Sequence, residues 1–333
     1  MRILIIGAGA VGGFYGTKLA LAGEDVTFLT RGATFEALKK HDLVVKSFRG
    51  DFHARVHVVD SLEGYAPPDL LVLAVKSYDT DQIIGQIRPV VGDGTLLLSF
   101  QNGVENEIKL ATAFGREKVL GCVCYIGAEV VEPGVIHHSA RGTVAIGEMT
   151  ESGYPPQAGG RGNARSTRSA EGGMAPQTNR LDQIVETFRK ARIEVHASGD
   201  IRRDLWIKLC WNTAFNQVCT VARATVGVVL ESEAMHRLLR ATMREVFAVA
   251  ARHGVELSES IIDQHLTLSS EELRSVKPSM LQDFERGRRL EHETFSGFIV
   301  REGEKFGLPV PINTTLYEFL NFLDQISARE LNL

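Results

Sequence analysis

The N-terminal run RILIIGAGAVGGFYGTKLALAGEDVTFL restricts the fold of this chain more than any other feature. Its first apolar residues, Ile3 to Ile6, predict a buried strand. The residues after the glycines predict a helix that ends near Ala22-Gly23, and a second strand is predicted from Asp25 to Leu29. Strand, glycine-rich turn, helix and strand in this order predict the start of an α/β domain.

The turn in this run has the spacing G-x-G-x-x-G, which in this context is typical of dinucleotide binding. Gly7 permits the tight turn, Gly9 lets the backbone approach a pyrophosphate, and Gly12 lets the helix pack closely on the strand. The N-terminus of the helix then faces the phosphates. The predicted cofactor-binding residues of this turn are Gly7, Ala8, Gly9, Ala10, Val11 and Gly12. Alternatively, the glycines only shape a turn.

The residues after the second predicted strand indicate which dinucleotide is preferred. NAD sites usually have an acidic side chain here, on the ribose hydroxyls, whereas this chain has Thr30-Arg31. An arginine suits a 2′-phosphate, so we expect NADP(H) to be the cofactor. The alternative is that Arg31 is a solvated loop residue.

Two later apolar runs, Leu70 to Val75 and Thr95 to Phe100, predict parallel strands that are covered on both faces. Polar residues follow each run. Ligands of open α/β sheets bind beyond the carboxyl ends of the strands, so we expect Lys76 and Asn102 to lie near the cofactor. Alternatively, Lys76 is a surface lysine and Asn102 belongs to an ordinary turn.

Composition restricts the class of protein and of partner. The chain has 333 residues, 44% hydrophobic and 23% charged, which leaves room for two domains. A net charge of -4 gives no sequence-wide reason to expect nucleic acid or an anionic membrane, so we expect a small-molecule partner. No run of 18 apolar residues predicts a membrane span. The four cysteines form no C-x-x-C pair, which suits reduced thiols and a cytoplasmic location.

Residues 121–147 change to a β pattern, in which Glu132-Pro133-Gly134 predicts the turn of a hairpin. His137 and His138 are adjacent and therefore point to opposite faces of a strand, so no metal site is expected. Residues 151–178 are rich in Gly, Pro, Ser, Ala and Arg, which predicts a disordered insertion in a surface loop. We therefore expect domains at 1–178 and 179–333.

The second half of the chain has mostly helical patterns. A long amphipathic helix is predicted over SEAMHRLLRATMREVFAVAARHG. Ser279-Met-Leu-Gln282 fits a capping box, which predicts one helix from Ser279 to a stop at Gly307 and Pro309. An all-α domain is thus expected behind the α/β domain.

The segment IKLCWNTAFN places polar groups in an apolar helix. Four-residue steps advance about 40° around a helix, so Lys208, Asn212, Asn216 and Thr220 form one slanting stripe. Burial of these groups without partners costs several kcal/mol, so the stripe must face a partner, a wet cleft or a ligand. Alternatively, Lys208 is a snorkelling or paired lysine.

Several spaced motifs together resemble the ketopantoate reductases (2-dehydropantoate 2-reductases) along nearly the whole chain, apart from residues 151–178. These are GAGAVGG, LAVKSYDT, QNGVENE, WIKLCWNTAFN, PSMLQDFERGRRLEHETFSG and GLPVPINTTLYEFL. The resemblance implies a Rossmann-like α/β N-terminal domain and an all-α C-terminal domain like that of 6-phosphogluconate dehydrogenase. It also implies an NADPH-dependent reduction of a 2-keto acid, and a homodimer is consistent with it.

The resemblance assigns a role to each matching residue. Lys208 matches the general acid that protonates the alkoxide as hydride arrives. Glu291 matches the glutamate that binds the substrate hydroxyl, assisted by residues matching Asn212, Asn216 and Ser279. Lys76, Asn102 and Glu291 match residues that serve the cofactor and the active site. Alternatively, Ser279 is only a helix cap and Glu291 only an i, i+3 partner of Arg288.

One departure from the family concerns the substrate. Many ketopantoate reductases have an asparagine before the glycine that matches Gly227, where this chain has Val226. Three functions therefore stay open. The first is ketopantoate reductase in coenzyme A biosynthesis, the second a relative acting on another 2-keto or 2-hydroxy acid, and the third a regulatory protein that binds NADP(H) without turnover.

Overall fold

The computed structural model describes residues 1–149 and 177–330, so nearly all of the predicted insertion at 151–178 lies outside the described residues. Contacts divide the chain into two compact units. The first comprises Met1–Val75, Ile84–Phe100 and Glu107–Ile201. The second comprises Lys76–Ile83, Gln101–Asn106 and Arg202–Leu333.

In its described residues, the first unit contains one mixed sheet of ten strands in the order β4-β3-β9-β8-β7-β6-β1-β2-β5, with β10 paired to β9. The strands are β1 Arg2–Ile6, β2 Asp25–Leu29, β3 Leu43–Ser47, β4 Phe52–Ala54, β5 His57–Val59, β6 Leu70–Leu73, β7 Leu96–Ser99, β8 Val119–Glu132, β9 Val135–Glu148 and β10 Glu194–Ala197. Strands β5, β2, β1, β6, β7 and β8 are parallel neighbours, whereas β8 pairs antiparallel with β9. The predicted parallel strands and the predicted hairpin at Glu132-Pro133-Gly134 are confirmed.

Helices cover this sheet, and the first of them packs closely on it. The helices are α1 Ala10–Leu21, α2 Gly32–Lys40, α3 Thr80–Ile87, α4 Asn106–Phe114 and α5 Gln177–Lys190, of which α3 and α4 begin in the second unit. A Cβ atom added at Gly12 would lie 2.3 Å from the Gly7 carbonyl oxygen and 2.7 Å from Ala74 Cβ. Only glycine therefore allows α1 to approach β1 and β6 this closely.

The domain boundary expected at 178/179 differs from the division of the structure. Strand β10 pairs in register with β9, from Glu194 opposite Thr143 to Ala197 opposite Ile146. Helix α5 packs against both strands and buries Ile184 in the core of the first unit. The chain therefore changes units near residue 201, because sheet pairing and helix packing keep 179–201 with the sheet.

The second unit is helical. Its helices are α6 Ile201–Trp211, α7 Gln217–Ala222, α8 Val226–Leu230, α9 Glu233–Arg252, α10 Glu259–Glu272, α11 Ser279–Glu285, α12 Ser296–Phe306 and α13 Pro311–Glu330. A π-helical turn, Asn212–Asn216, connects α6 to α7. Single π turns inside helices are often found at functional sites. The predicted amphipathic helix is α9, and Ser232 caps it by accepting a hydrogen bond from the Met235 backbone N–H.

The single helix predicted from Ser279 to Gly307 was wrong. Helix α11 ends at Glu285, Gly287 has a φ of 61°, and Glu291 lies in irregular backbone before a 3₁₀ turn, His292–Thr294. The predicted capping box was also wrong. The N-cap is Pro278, and Gln282 Nε2 donates to the Lys277 carbonyl, whereas in a capping box the Gln282 side chain would accept from the Ser279 N–H.

Three further features bear on function. The four cysteines are free and buried, and the Cys122 and Cys124 sulfurs lie 3.9 Å apart on one face of β8. Within residues 1–149 and 177–330, no group of three or more His, Cys, Asp and Glu side chains is placed to hold a metal ion. None of the helices in these ranges combines the length and the hydropathy that a membrane-spanning segment needs.

Candidate active site

The glycine turn of the first unit leaves the N-terminus of α1 open. Gly7 has a φ of 104°, which favours glycine, and its N–H donates to the Leu29 carbonyl at 2.9 Å. Gly9 is the N-cap of α1, and no side chain caps this helix. A Cβ atom added at Gly9 would meet no atom within 4 Å. Backbone N–H groups at an open helix N-terminus of this kind can stabilise an anion.

Arg31 follows the end of β2, where the Leu29 carbonyl bonds to this turn, and is exposed. It is the N-cap of α2 and comes two residues after Leu29, whose carbonyl accepts from Gly7. The Thr30 N–H donates to the Val59 carbonyl at 3.0 Å, so the backbone before Arg31 is anchored to β5. The guanidinium of Arg31 therefore extends from backbone that is held in place at the carboxyl end of β2.

In the second unit, Lys76 is held by two acids. Lys76 Nζ lies 2.6 Å from Asp283 Oδ2 and 2.9 Å from Glu291 Oε2. The side chains of Asp283 and Glu291 are 9% and 6% exposed, against 37% for Lys76. Arg288 Nη1 lies 3.9 Å from Asp283, so the predicted alternative partner of Glu291 faces the other carboxylate instead.

The pKa shifts of this cluster follow from its geometry. Burial by itself lowers the pKa of Lys76, but the carboxylates of Glu291 and Asp283 outweigh this effect and raise it well above its ordinary value. Burial by itself raises the pKa of Glu291, but the Lys76 ammonium and hydrogen bonds from Ser77 outweigh it and lower the pKa. Both shifts indicate an ion pair, so Lys76 is charged and Glu291 is ionised.

Glu291 also fixes the chain that follows β6. Its Oε1 atom accepts hydrogen bonds from the Ser77 N–H at 3.1 Å and from Ser77 Oγ at 2.9 Å. Ser77 Oγ also contacts Thr294 Oγ1. The carboxylate therefore has three donors already, and its main geometrical effect is to hold the Lys76-Ser77 backbone in place.

The predicted asparagines form a connected row. Asn212 Nδ2 donates to Asn102 Oδ1 at 3.5 Å, and Asn216 Nδ2 donates to Asn212 Oδ1 at 3.2 Å. Asn216 Oδ1 accepts from Ser279 Oγ at 3.3 Å and from the Met280 N–H at 3.0 Å. The row therefore runs from the loop after β7, through the π turn, to the start of α11.

Lys208 lies on α6 one turn before Asn212 and is half-buried. The π turn begins directly after α6, so the four-residue spacing of Lys208, Asn212 and Asn216 is carried along one run of helix. Two side chains satisfy carbonyls of this run, since Thr220 Oγ1 donates to the Asn216 carbonyl at 2.6 Å and Gln217 Nε2 to that of Thr213.

The structure thus connects Lys76 with Glu291, and Asn102 with Asn212, Asn216 and Ser279, all within the second unit. The glycine turn and Arg31 belong to the first unit. Asp283 and Ser77 were missed by the sequence reasoning. Ser77 directly follows Lys76, and Asp283 lies within the motif PSMLQDFERGRRLEHETFSG, but neither has a local pattern that indicates a contact with a residue more than 200 positions away.

Comparison with known proteins covers both halves of the chain. Residues 3–151 match the family model described as ketopantoate reductase PanE/ApbA, and residues 200–324 match the model of its C-terminal part. A 2-dehydropantoate 2-reductase of Archaeoglobus fulgidus is 33% identical over 95% of this chain and 95% of that protein.

Two solved structures have a similar fold. The crystal structure of 2-dehydropantoate 2-reductase from Geobacter metallireducens is 31% identical, with a TM-score of 0.83 over 96% of this chain and 99% of that one. A ternary structure of D-mandelate dehydrogenase is 21% identical, with a TM-score of 0.86 over 98% and 100%, and shows likeness of fold alone. With family models matched in both halves and a Rossmann-like sheet followed by a helical unit, this chain belongs to the ketopantoate reductase family of oxidoreductases.

Proposed function

We propose that this protein reduces 2-dehydropantoate (ketopantoate) to pantoate with NADPH, the step that supplies pantoate for coenzyme A biosynthesis. The observation that carries the proposal is the row of amide and hydroxyl groups in the second unit. It links Asn102, Asn212, Asn216 and Ser279, and Lys208 lies one helical turn from Asn212. Membership of the ketopantoate reductase family supports the same reaction.

The residues of the first unit fit a nicotinamide dinucleotide. The open N-terminus of α1 at Gly9 fits its pyrophosphate, and the exposed cation of Arg31 fits the 2′-phosphate of NADP(H). Lys76, Asn102 and Glu291 complete the proposed cofactor-binding set. When bound, NADPH supplies the hydride for the reduction.

Lys208 is the proposed catalytic residue. A carbonyl that accepts hydride develops negative charge on oxygen, which a nearby ammonium stabilises and then neutralises by giving up a proton. Asn212, Asn216 and Ser279 are the proposed substrate-binding residues, since amide and hydroxyl groups match the mixed polar groups of a keto acid. Glu291, which holds Lys76 and Ser77, is also proposed to bind the substrate hydroxyl.

The second candidate is a relative that acts on another 2-keto or 2-hydroxy acid. The observation that favours it is Val226, the first residue of α8, which is fully buried and whose N–H donates to the Val276 carbonyl. A buried valine offers no polar side-chain contact where many ketopantoate reductases have an asparagine. The missing asparagine therefore bears on whether pantoate is the product, whereas Lys208 still supports keto-acid chemistry.

The test is NADPH oxidation by the purified protein with ketopantoate, beside pyruvate, 2-ketoisovalerate and benzoylformate, and with NADH as the cofactor control. Efficient and selective turnover of ketopantoate would support the first function. Turnover of a different keto acid alone would support the second. NADPH binding without oxidation of any member of the panel would contradict both and favour a regulatory protein.

A further inference from the structure

The row of asparagines has a direction, and one backbone group sets it. The Met280 N–H is 3.0 Å from the side-chain amide of Asn216. A backbone N–H can only donate, so the atom that faces it must be the carbonyl oxygen of the amide and not its NH₂ group. The usual ambiguity between the two ends of an asparagine side chain is thereby removed for Asn216.

The direction propagates from Asn216 to Asn212. With Oδ1 of Asn216 engaged by Met280 and by Ser279 Oγ, its Nδ2 group faces Asn212 and donates at 3.2 Å. The facing atom of Asn212 must then be Oδ1, since two NH₂ groups cannot bond each other. Asn216 and Asn212 are 2% and 5% exposed, so the opposite orientation would leave buried donors facing one another.

Asn102 forms the more exposed end of the row. Asn212 Nδ2 lies 3.5 Å from Asn102 Oδ1, the longest contact of the row. Asn102 is half-exposed, and its backbone carbonyl accepts from Asn106 Nδ2 at 2.8 Å, which holds the loop. Its side-chain oxygen therefore faces Asn212, which leaves its Nδ2 group as the end available to a ligand.

We infer that Asn216, beside its proposed contact with the substrate, has a positioning role: it orients the amides of Asn212 and Asn102, so that the site presents hydrogen-bond donors to its ligand. The ligand group at Asn102 is accordingly an acceptor, the oxygen of a keto carbonyl. Identification of that acceptor as part of a 2-keto acid rests on the proposed function. The orientation itself rests only on the contacts of Asn216, Asn212 and Asn102.

The test uses Asn216→Asp, which preserves the size of the side chain but removes its NH₂ group. The introduced carboxylate still accepts from the Met280 N–H. Toward Asn212 it has no donor and can only accept, so the side-chain amides of Asn212 and then of Asn102 must reverse their orientation. Thr220→Val is the matched control, because it removes a hydrogen bond to the Asn216 backbone carbonyl without altering the side-chain amide. Neutron diffraction from deuterium-exchanged crystals locates the deuterons of the three amides in each protein without any ligand.

Binding gives the second readout. Dissociation constants are measured for ketopantoate in the presence of NADP⁺ and for pantoate in the presence of NADPH, two complexes in which no reaction occurs. We expect Asn216→Asp to weaken binding of the keto acid about tenfold or more, and to weaken binding of the hydroxy acid, whose C2 hydroxyl can also donate, much less. A purely structural defect would weaken both ligands equally, as would a change confined to the cofactor site.

The deuteron positions and the two dissociation constants decide whether Asn216 has this orienting role. Wild-type Asn102 deuterons directed away from Asn212, and reversed in Asn216→Asp, support the orienting role. Wild-type deuterons of Asn102 directed at Asn212, or equal losses for both ligands, overturn it. If the wild-type protein binds neither ketopantoate nor pantoate, the proposed function fails, whereas the deuteron positions still decide the role of Asn216.

Discussion

Lys76 Nζ donates a 2.9 Å hydrogen bond to Glu291 Oε2, although 215 residues separate the two in sequence. This ion pair is partly buried, because the Glu291 side chain is 6% exposed. A buried acid paired in this way fixes the backbone on both sides of the contact, and its loss leaves the lysine with Asp283 alone.

We expect Glu291→Gln to lower the free energy of unfolding by about 1–3 kcal/mol, because charge-assisted hydrogen bonds are lost from a partly buried pair while Lys76 keeps Asp283. Urea denaturation measures the change. Glu285→Gln is the control, since its pair with Lys277 at 2.7 Å is about half exposed and such pairs contribute about 0–1 kcal/mol. Equal losses for the two variants would contradict a structural role for the Glu291 pair.

Lys208→Ala is expected to lower kcat by about 100- to 10,000-fold, because a positioned general acid contributes a factor of that size. NADPH binding, measured by fluorescence titration, should stay nearly unchanged. Lys208→Arg tests the chemistry further, since it keeps the positive charge but does not release a proton at neutral pH. Unchanged turnover in Lys208→Ala would remove this residue from the mechanism.

The two glycines of the nucleotide turn should fail in different ways when changed to alanine. Gly12→Ala places a methyl group 2.3 Å from the Gly7 carbonyl oxygen, so we expect a loss of about 1–3 kcal/mol in stability. Gly9→Ala meets no protein atom within 4 Å, so stability should hold while NADPH affinity falls. Thermal unfolding with and without NADPH separates the two effects. A stable Gly12→Ala protein would contradict the close packing of α1.

Arg31→Ala should weaken NADPH far more than NADH, because only NADPH carries the 2′-phosphate that the guanidinium is proposed to bind. Dissociation constants for both cofactors at two salt concentrations measure the effect. In the wild-type protein, the preference for NADPH over NADH should also shrink as the salt concentration rises, since the exposed charge of Arg31 is screened. Equal losses for the two cofactors would mean that Arg31 does not contact the phosphate.

Because the pKa of His265 is lowered, we expect the protein to lose stability in acid. Burial lowers its pKa from 6.5 to about 4, although its hydrogen bond to the Ile207 carbonyl opposes the shift. The unfolded chain therefore binds a proton at a higher pH than the folded protein does. Stability is unaffected above about pH 7 and falls as pH decreases from about 6.5 to 4, by about 3 kcal/mol at most.

Urea denaturation across this pH range tests the effect of His265. His265→Gln keeps an N–H donor for the Ile207 carbonyl but does not titrate, so its stability should fall less steeply with decreasing pH. The pKa values of His253 and His292 are also lowered, chiefly by burial, so some acid dependence should persist in the variant. Parallel curves for the two proteins would exclude His265 as a source of the dependence.

The sequence by itself determined the elements whose signals are local. Strands β1 and β2, the helix between them, the hairpin turn at Glu132-Pro133-Gly134 and the end of α12 at Gly307 follow from periodicity and glycine placement, and the structure has them as predicted. The motifs also predicted the family, which the comparisons confirm.

Only the tertiary structure decided which polar groups meet. The local pattern at Ser279 predicted a helix cap, but Pro278 is the N-cap and the Ser279 hydroxyl donates to Asn216 instead. The pattern up to Gly307 predicted one helix, but Gly287 interrupts it and Glu291 turns to Lys76 and Ser77. Periodicity reports the local backbone, whereas a contact such as that of Lys76 with Asp283, 207 residues apart, depends on how the helices pack, which no local pattern encodes.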